Sequence, residues 1–448
     1  MPARPTARLV QALTALLLLA FVLGTAPAQA GVATTALERR NTNPTGTNAG
    51  SPANGVGGLG LSLASLPDGR IKVSWKRPGP VKRLKHYVLT VGPSRRLDRD
   101  VKTYKVNRRK TSIVVARAVD ALPTSGNYSF VRISAIRKKG TKGGSPTKWI
   151  QAPLTFPCTA LPQDRVTVGT FNVRTWKGDT TDKPKGLGWN LRGPNVIKDI
   201  RRSGARVVAL QEASGKEGMG NGSVRQHQWI IDRLNEADDS AAWVDGVDNS
   251  YYGVLGGLTG TRIIYDANVY TELAQGLSRV TDPKAPLDSL MPWVRLQATS
   301  GTQASFVVTS NHLRVGETRG DFDIRGRQTA KTLGFLKSLR KAFPSDQIVV
   351  AGDLNSTANT MPFNNVQRAL LNAGLYDTYA TSALKGAHMP TSNLYKFPLG
   401  PSPHRRDYIL TYGGPRGSCG YTNLYFTAKS QTSSDHFMQV ASVPLRHL

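Results

Sequence analysis

The run Ile348-Val349-Val350-Ala351-Gly352-Asp353-Leu354-Asn355-Ser356 constrains this chain more than any other. Its apolar residues predict a buried strand. The strand stops at a glycine, and a carboxylate and a carboxamide follow two positions apart. On an extended chain residues i and i+2 project to one side, so Asp353 and Asn355 are expected to leave a core strand together and face a cleft. Gly, Asp, Asn and Ser are also turn residues, and taken alone the run reads more readily as an ordinary strand ending.

Recurrence changes that reading. A predicted strand at 165–171 ends in Asn172, one at 205–210 ends in Gln211-Glu212, and one at 306–309 ends in Ser310-Asn311-His312. Arg406-Asp407-Tyr408 opens another strand, and Ser434-Asp435-His436 opens the last. Polar groups at one edge of a sheet are cheap where that edge is a solvated cleft, so many such endings together suggest a site. Helices are predicted at 194–203, 226–236, 327–343 and 365–373. The clearest is 327–343, with Leu333, Leu336, Leu339 and Phe343 at helical spacing. The alternation implies an α+β fold in which helices flank mixed β-sheets.

Glu212, Asp353 and Asp435 are oxygen donors with no thiolate among them, a set suited to Mg²⁺ or Mn²⁺ rather than zinc. Asp353 is a candidate base, and the Asn355 amide can donate to a phosphate oxygen. His312 and His436 can donate to phosphate oxygens or protonate a leaving alkoxide, and Asp407 can hold one imidazole in a single tautomer. Together these groups suit attack of water on a phosphoester. The chain has no Walker loop and no Gly-x-Ser-x-Gly elbow, so NTPase and serine-hydrolase chemistry lack their motifs.

Upstream, residues 57–155 hold short alternating segments separated by turn residues, the pattern of a small antiparallel sandwich. They resemble a fibronectin type III domain: Trp75 follows a Val-Ser strand, Leu122 precedes Tyr128 by six positions, and 134–145 looks like the last hairpin. Residues 31–56 lack large apolar side chains and are expected to be a flexible linker. Residues 1–30 read as an export signal, with Arg4 and Arg8 before an uncharged leucine-rich core and a cleavage pattern at Ala28-Gln29-Ala30. A secreted protein cut after Ala30 is expected, with an uncleaved anchor as the alternative. No other stretch is apolar and long enough to span a membrane. An exported location permits a bridge between the chain's two cysteines, Cys158 and Cys419.

The net charge of +30 selects a class of partner. Such a field attracts nucleic acid, anionic lipid headgroups or wall polymers. Residues 57–155 carry 22 Lys and Arg against 4 acids, so the small module holds most of the excess. An electrostatic tether and a solvated spacer surface explain this equally well.

In order, Thr-Phe-Asn172-Val, Leu-Gln-Glu212, Ser-Asn-His312-Leu, Gly-Asp353-Leu-Asn355, Arg-Asp407-Tyr-Ile-Leu and Ser-Asp435-His436 resemble the endonuclease/exonuclease/phosphatase superfamily over about 165–445. That superfamily includes deoxyribonucleases, abasic-site endonucleases, sphingomyelinases and inositol phosphatases. The resemblance implies a four-layer sandwich of two mixed sheets with helices outside, in a catalytic domain at 156–448. It implies that Glu212 binds the metal with Asn172 and Asp435 near it, that Asp353 orients or deprotonates water, and that Asn355 binds phosphate. It also implies that Asp407 pairs with His436 on the scissile phosphate. His312 matches the second histidine of the deoxyribonuclease and sphingomyelinase branches, with Asp266 a weak candidate for its partner. Arg262 is a further candidate phosphate contact. The resulting expectation is a secreted, monomeric, Mg²⁺-dependent phosphodiesterase acting on nucleic acid or another phosphate-rich polyanion. A phospholipid or sugar-phosphate hydrolase is the alternative, and a non-catalytic polyanion-binding protein the remaining one.

Overall fold

The computed structural model describes residues 59–445, apart from 67–69, 80, 93–96, 98–100, 117–127, 139, 146, 152–157, 159, 179–186, 215–223, 253–259, 286–289, 302, 358–364, 382, 388 and 400–403. The expected export signal at 1–30 and linker at 31–56 lie outside the described residues, as do Leu122 and the side chain of Tyr128.

The first strands are β1 (Ser62–Ser65), β2 (Ile71–Ser74), β3 (Leu84–Gly92), β4 (Lys102–Asn107), β5 (Ser112–Val115), β6 (Tyr128–Arg137), β7 (Gly140–Gly144) and β8 (Lys148–Gln151). They form two antiparallel sheets, β1-β2-β5 and β4-β3-β6-β7, with β8 added on β6. Alternation in β2 and β3 puts Ile71, Val73, Tyr87, Leu89 and Val91 in one core, where Trp75 meets Tyr87 edge-on at 5.1 Å.

Next come β9 (Arg165–Asn172), α1 (Trp189–Ser203), β10 (Val207–Gln211), α2 (Gln226–Ala237), β11 (Trp243–Asp245), α3 (Asn249–Tyr252), β12 (Arg262–Asp266), β13 (Tyr270–Arg279) and β14 (Leu290–Ala298). They are followed by β15 (Phe306–His312), α4 (Arg319–Ala342), β16 (Gln347–Asp353), α5 (Asn365–Asn372), β17 (Tyr376–Asp377), β18 (Leu384–Lys385), β19 (Asp407–Tyr412), β20 (Gly420–Leu424) and β21 (Met438–Pro444). One sheet runs β11-β12-β10-β9-β21-β20-β18 and the other β13-β14-β15-β16-β19-β17.

The strand sequences explain the layering. Along β10, Val207 and Ala209 enter the core between the sheets, while Val208 and Leu210 enter a second core with Val196, Ile200, Ile230 and Leu234 of α1 and α2. Along β16, Val349 and Ala351 face the inter-sheet core, while Ile348 and Val350 meet Leu336, Leu339, Val366 and Leu370 of α4 and α5. Both strand faces are buried, so each strand reads as an unbroken apolar run. The fold is two mixed sheets face to face with helices on the outside. Among the described residues no helix is long and apolar enough to cross a membrane. Cys158 and Cys419 form a disulfide with Cα atoms 4.8 Å apart, joining the segment that leads into β9 to the residue before β20.

Several elements exceed their sequence expectation. Helix α4 starts at Arg319, well before residue 327, because Thr318 and Asp321 form a reciprocal cap: the Asp321 N–H donates to Thr318 Oγ1 at 3.2 Å, and the Thr318 N–H to the Asp321 carboxylate at 3.2 Å. Helix α1 starts at Trp189 with Pro194 inside it. Its first turn is held by packing, with Trp189 against Trp229 at 5.2 Å and the Arg192 guanidinium 4.7 Å over Trp189. Strands β13 and β14 escaped the sequence reading, and much of β13 is only half-buried, which weakens its apolar signal.

Candidate active site

Register brings the polar strand ends to one edge. Asn172 pairs with Gln211 across parallel β9 and β10, His312 with Asp353 across parallel β15 and β16, and Asp353 with Asp407 across antiparallel β16 and β19. Asp435 and His436 lie just before β21, separated from it by Phe437, and β21 runs antiparallel to β9. Buried hydrogen bonds tie the two sheets together just behind this edge. The Gln211 amide donates to Ser310 Oγ at 3.1 Å, and Ser310 Oγ donates to the Leu210 carbonyl at 2.9 Å.

Two glycines permit the close approach. Gly352 has φ +149°, and a Cβ there would overlap the Asn311 carbonyl. A Cβ at Gly260 would overlap the backbone of Glu212, which itself sits at φ +57°. Such a conformation costs a non-glycine residue about 1–3 kcal/mol and persists only where its surroundings impose it.

Asp353 is the hub. Its Oδ2 accepts from Asn172 Nδ2 at 3.1 Å and lies 3.7 Å from both His312 Nε2 and His436 Nε2. Asn172 Nδ2 also donates to Glu212 Oε1 at 3.0 Å, so one amide joins two carboxylates. On the far side of His436, Nδ1 meets both oxygens of Asp407 at 3.0 and 2.9 Å. The Ser434 hydroxyl donates to the Asn172 carbonyl at 2.6 Å and accepts from the His436 N–H at 3.2 Å, fixing the Asp435–His436 turn against β9. Asn172, Glu212, His312, Asp353, Asp407 and His436 are thus linked through their side chains. Asp435 joins them electrostatically, lying near Glu212 and His436.

Asn355 corrects an expectation. β16 ends at Asp353, and Asn355 has φ +46°, so the two do not project together from an extended strand. The Asn355 backbone N–H donates to Asp353 Oδ1 at 2.8 Å, and its side-chain amide donates to the Leu313 carbonyl at 3.1 Å. The chain turns around the Asp353 carboxylate, as Asp and Asn favour.

Asp266 and Arg262 are also corrected. Asp266 lies at the other end of β12 from the site, 3.0 Å from Arg206 Nη1, and Asp353 is the carboxylate beside His312. Arg262 is 1 % exposed, lies over the Tyr252 ring at 3.6 Å and donates to Asn249 Oδ1, so it is a buried structural residue rather than a phosphate contact. Tyr421 lies in β20 and is buried in the core between the sheets.

Sequence reasoning missed Arg174, whose Nη1 lies 3.3 Å from Glu212 Oε2. It also missed Thr391, whose hydroxyl accepts the Arg406 and Asp407 backbone N–H groups at 2.9 and 3.2 Å. A lone arginine two positions after Asn172 and a threonine in a long loop carry no periodic signal. A cavity of about 290 Å³ beside Ala205, Arg206 and Trp243 lies at the opposite end of β10 from Glu212 and takes no part.

The electrostatics separate the groups. Burial alone would raise the Glu212 pKa, but the charges of His312 and Arg174 and the Asn172 hydrogen bond outweigh it and hold it at about 2. Burial raises the Asp435 carboxyl, with the His436 charge opposing and the Glu212 charge reinforcing the rise. Burial would lower His436, but Asp407 and Asp353 outweigh it and raise it to about 10. Burial likewise raises Asp407, against the pull of His436. The pair therefore shares a proton, which we place on the imidazole because the carboxylates of Asp407 and Asp353 flank its two nitrogens.

Asp353, Asp407 and His436 offer three metal-ligand atoms within 4.8 Å of one another. The hydrogen bond between His436 and Asp407 already engages two of these residues. The Glu212 charge lies close enough to raise the Asp435 carboxyl, and these two carboxylates are oxygen donors of the kind a hard divalent cation takes; the Asn172 amide nitrogen faces Glu212, and its oxygen accepts the Arg174 N–H at 3.0 Å.

No family model matches the chain, and no curated protein matches it. Similar solved structures include proteins described as of the endonuclease/exonuclease/phosphatase family. One such protein from Bacteroides thetaiotaomicron is 16% identical, covering 63% of this chain and 98% of its own with a TM-score of 0.47. A mannosyl-6-phosphatase from Bacteroides thetaiotaomicron VPI-5482 is 19% identical, covering 62% and 99% at 0.47. The human Nocturnin catalytic domain with bound sulfate is 15% identical, covering 64% and 96% at 0.45. At these identities and scores the likeness adds nothing to the geometry above.

Proposed function

We propose that this protein is a divalent-metal-dependent phosphodiesterase, and specifically a nuclease. The observation that carries the reading is Asp353 Oδ2, placed between Asn172, His312 and His436 with Asp407 behind His436. Glu212, with Asn172 and Asp435, would hold Mg²⁺ or Mn²⁺, which when bound supplies positive charge to a phosphate oxygen. Asp353 orients the attacking water and accepts its proton. His436, kept cationic by Asp407 and Asp353, donates to a non-bridging oxygen and stabilises the charge that builds there. His312, 26 % exposed, faces the opening of the site and donates to the phosphate or the leaving oxygen. The net charge of +30 supports a polyanionic substrate.

We read the protein as exported, in keeping with its leader-like first 30 residues and the Cys158–Cys419 disulfide. We also keep the fibronectin type III-like reading of 57–155 as a proposal; the strands described there form two antiparallel sheets, β1-β2-β5 and β4-β3-β6-β7. The test is hydrolysis of DNA, RNA, sphingomyelin vesicles and a sugar phosphate by the purified chain, with Mg²⁺, with Mn²⁺ and with chelator. Metal-dependent cleavage of a nucleic acid is expected. Cleavage of the lipid or the sugar phosphate alone would replace the nuclease reading, and no cleavage of any substrate would remove it.

A further inference from the structure

Three connections of the β1–β8 module that meet at one end are rich in cations. The β2–β3, β4–β5 and β6–β7 connections leave the strands at the same end, since Ser74 pairs with Ser112, His86 with Asn107 and Leu84 with Arg137. Hydrogen bonds hold these connections together. Trp75 N–H donates to the Thr111 carbonyl at 2.9 Å, Arg77 Nη2 to the Arg109 carbonyl at 2.7 Å, and Lys138 N–H to the Arg83 carbonyl at 3.3 Å.

In sequence these connections, 75–83, 108–111 and 138–139, carry nine Lys and Arg and no acid. The connections leaving the opposite strand ends, 66–70, 93–101 and 116–127, carry five Lys and Arg and all four acids of the module. A solubilising surface needs no such polarity; a docking surface for an anion does. Lys82, Arg109 and Lys110 are exposed, and the described residues at this end include no exposed aromatic ring. The end can therefore grip a charged backbone and cannot stack bases.

We propose that this end of the module docks the phosphate backbone of a nucleic acid without regard to sequence. The phosphodiesterase reading enters only in choosing nucleic acid over other polyanions.

The test is binding of the full chain to a labelled duplex oligonucleotide in chelator, where turnover plays no part, over a range of salt. Replacing Lys82, Arg109 and Lys110 together by Glu is expected to weaken binding at least about 30-fold near 0.1 M salt and to lower the salt slope by about 3. The matched triple Arg70→Glu, Lys72→Glu and Lys102→Glu, with the same charge change towards the other end, is expected to weaken it less than about threefold by the same rule. Gln at the first three positions repeats the test more gently should the Glu variant fold poorly. Equal losses from the two triples, no loss from the first, or tighter binding of a sulfated polysaccharide at equal salt would each overturn the proposal. Hydrolysis of a small chromogenic phosphodiester with Mg²⁺ is measured alongside. It should be unchanged in both triples, and its absence in the wild type would count against the catalytic reading while leaving the docking result intact.

Discussion

Two buried histidines in the same domain are driven to opposite charge states. His436, at the site, is raised to about 10; burial works against its charge, and Asp407 and Asp353 overcome it. His227, in the first turn of α2, is lowered to about 3, chiefly by burial and then by the Arg262 charge. His227 also has a carboxylate near, with Nε2 3.4 Å from Asp245 Oδ2, but Arg262 Nη1 lies 3.9 Å from that same oxygen and burial raises Asp245 itself to about 6. An acid beside a histidine is thus not enough. His436 is cationic because two carboxylates address its two nitrogens, Asp407 at Nδ1 and Asp353 at Nε2. His227 is a neutral wedge in the packing.

The comparison can be broken most sharply by activity. His436→Ala is expected to lower turnover about 10³-fold or more, within the range for a group acting on the transferring charge, whereas His227→Leu should leave it within about threefold. Comparable losses from both would erase the distinction. The next largest effect concerns stability. Arg405 is buried against Asp377 through two contacts of 2.9 and 3.1 Å and lies over the Tyr379 and Tyr408 rings. Arg405→Met leaves Asp377 unpaired and is expected to cost about 3–5 kcal/mol in chemical denaturation, while the same denaturation should show Arg406→Met to be nearly silent.

Smaller effects come from pH. The raised pKa of His436 means that the folded state holds a proton the unfolded state releases. Its stabilisation is full below about 6.5, the ordinary histidine value, and is lost as pH rises through about 10. Asp407→Asn should flatten that alkaline decline in denaturant titrations. The lowered pKa of His227 works in the other direction. The unfolded state takes up a proton below about 6.5 that the folded state refuses until about 3, so stability falls across that window. His227→Phe should remove part of that acid decline. An unchanged slope in either variant would show that the histidine concerned does not titrate as its surroundings require.

The layers of the fold were legible because strands buried on both faces leave unbroken apolar runs such as Ile348–Ala351, and these runs mark both sheets. β13 was hidden because half-exposed strands lack that signal, and the start of α4 was hidden because a Thr318–Asp321 cap is local chemistry rather than periodicity. The site was legible in its residues but less so in its geometry. The gathering of Asn172, Glu212, Asp353, Asp407 and His436 follows from strand ends sharing an edge. The turn at Asn355 does not, because extended-strand alternation fails one residue past a strand. Nor did the sequence reveal that Asp266 and Arg262 serve the packing: nothing in β12 tells which of its ends lies at the site, and the Tyr252 and Asn249 partners of Arg262 come from α3.

The central claim is that Asp353 is the hub of a hydrolytic centre. Its most direct test is the single-turnover rate of Asp353→Asn on nucleic acid at saturating Mg²⁺, with thermal melting recorded on the same sample. The substitution keeps the shape and removes the charge. The account predicts a rate lower by about 10³-fold or more, as for loss of a proton acceptor at the reacting water, with the folded state retained. A folded Asp353→Asn variant that cleaves within about tenfold of the wild type would contradict it.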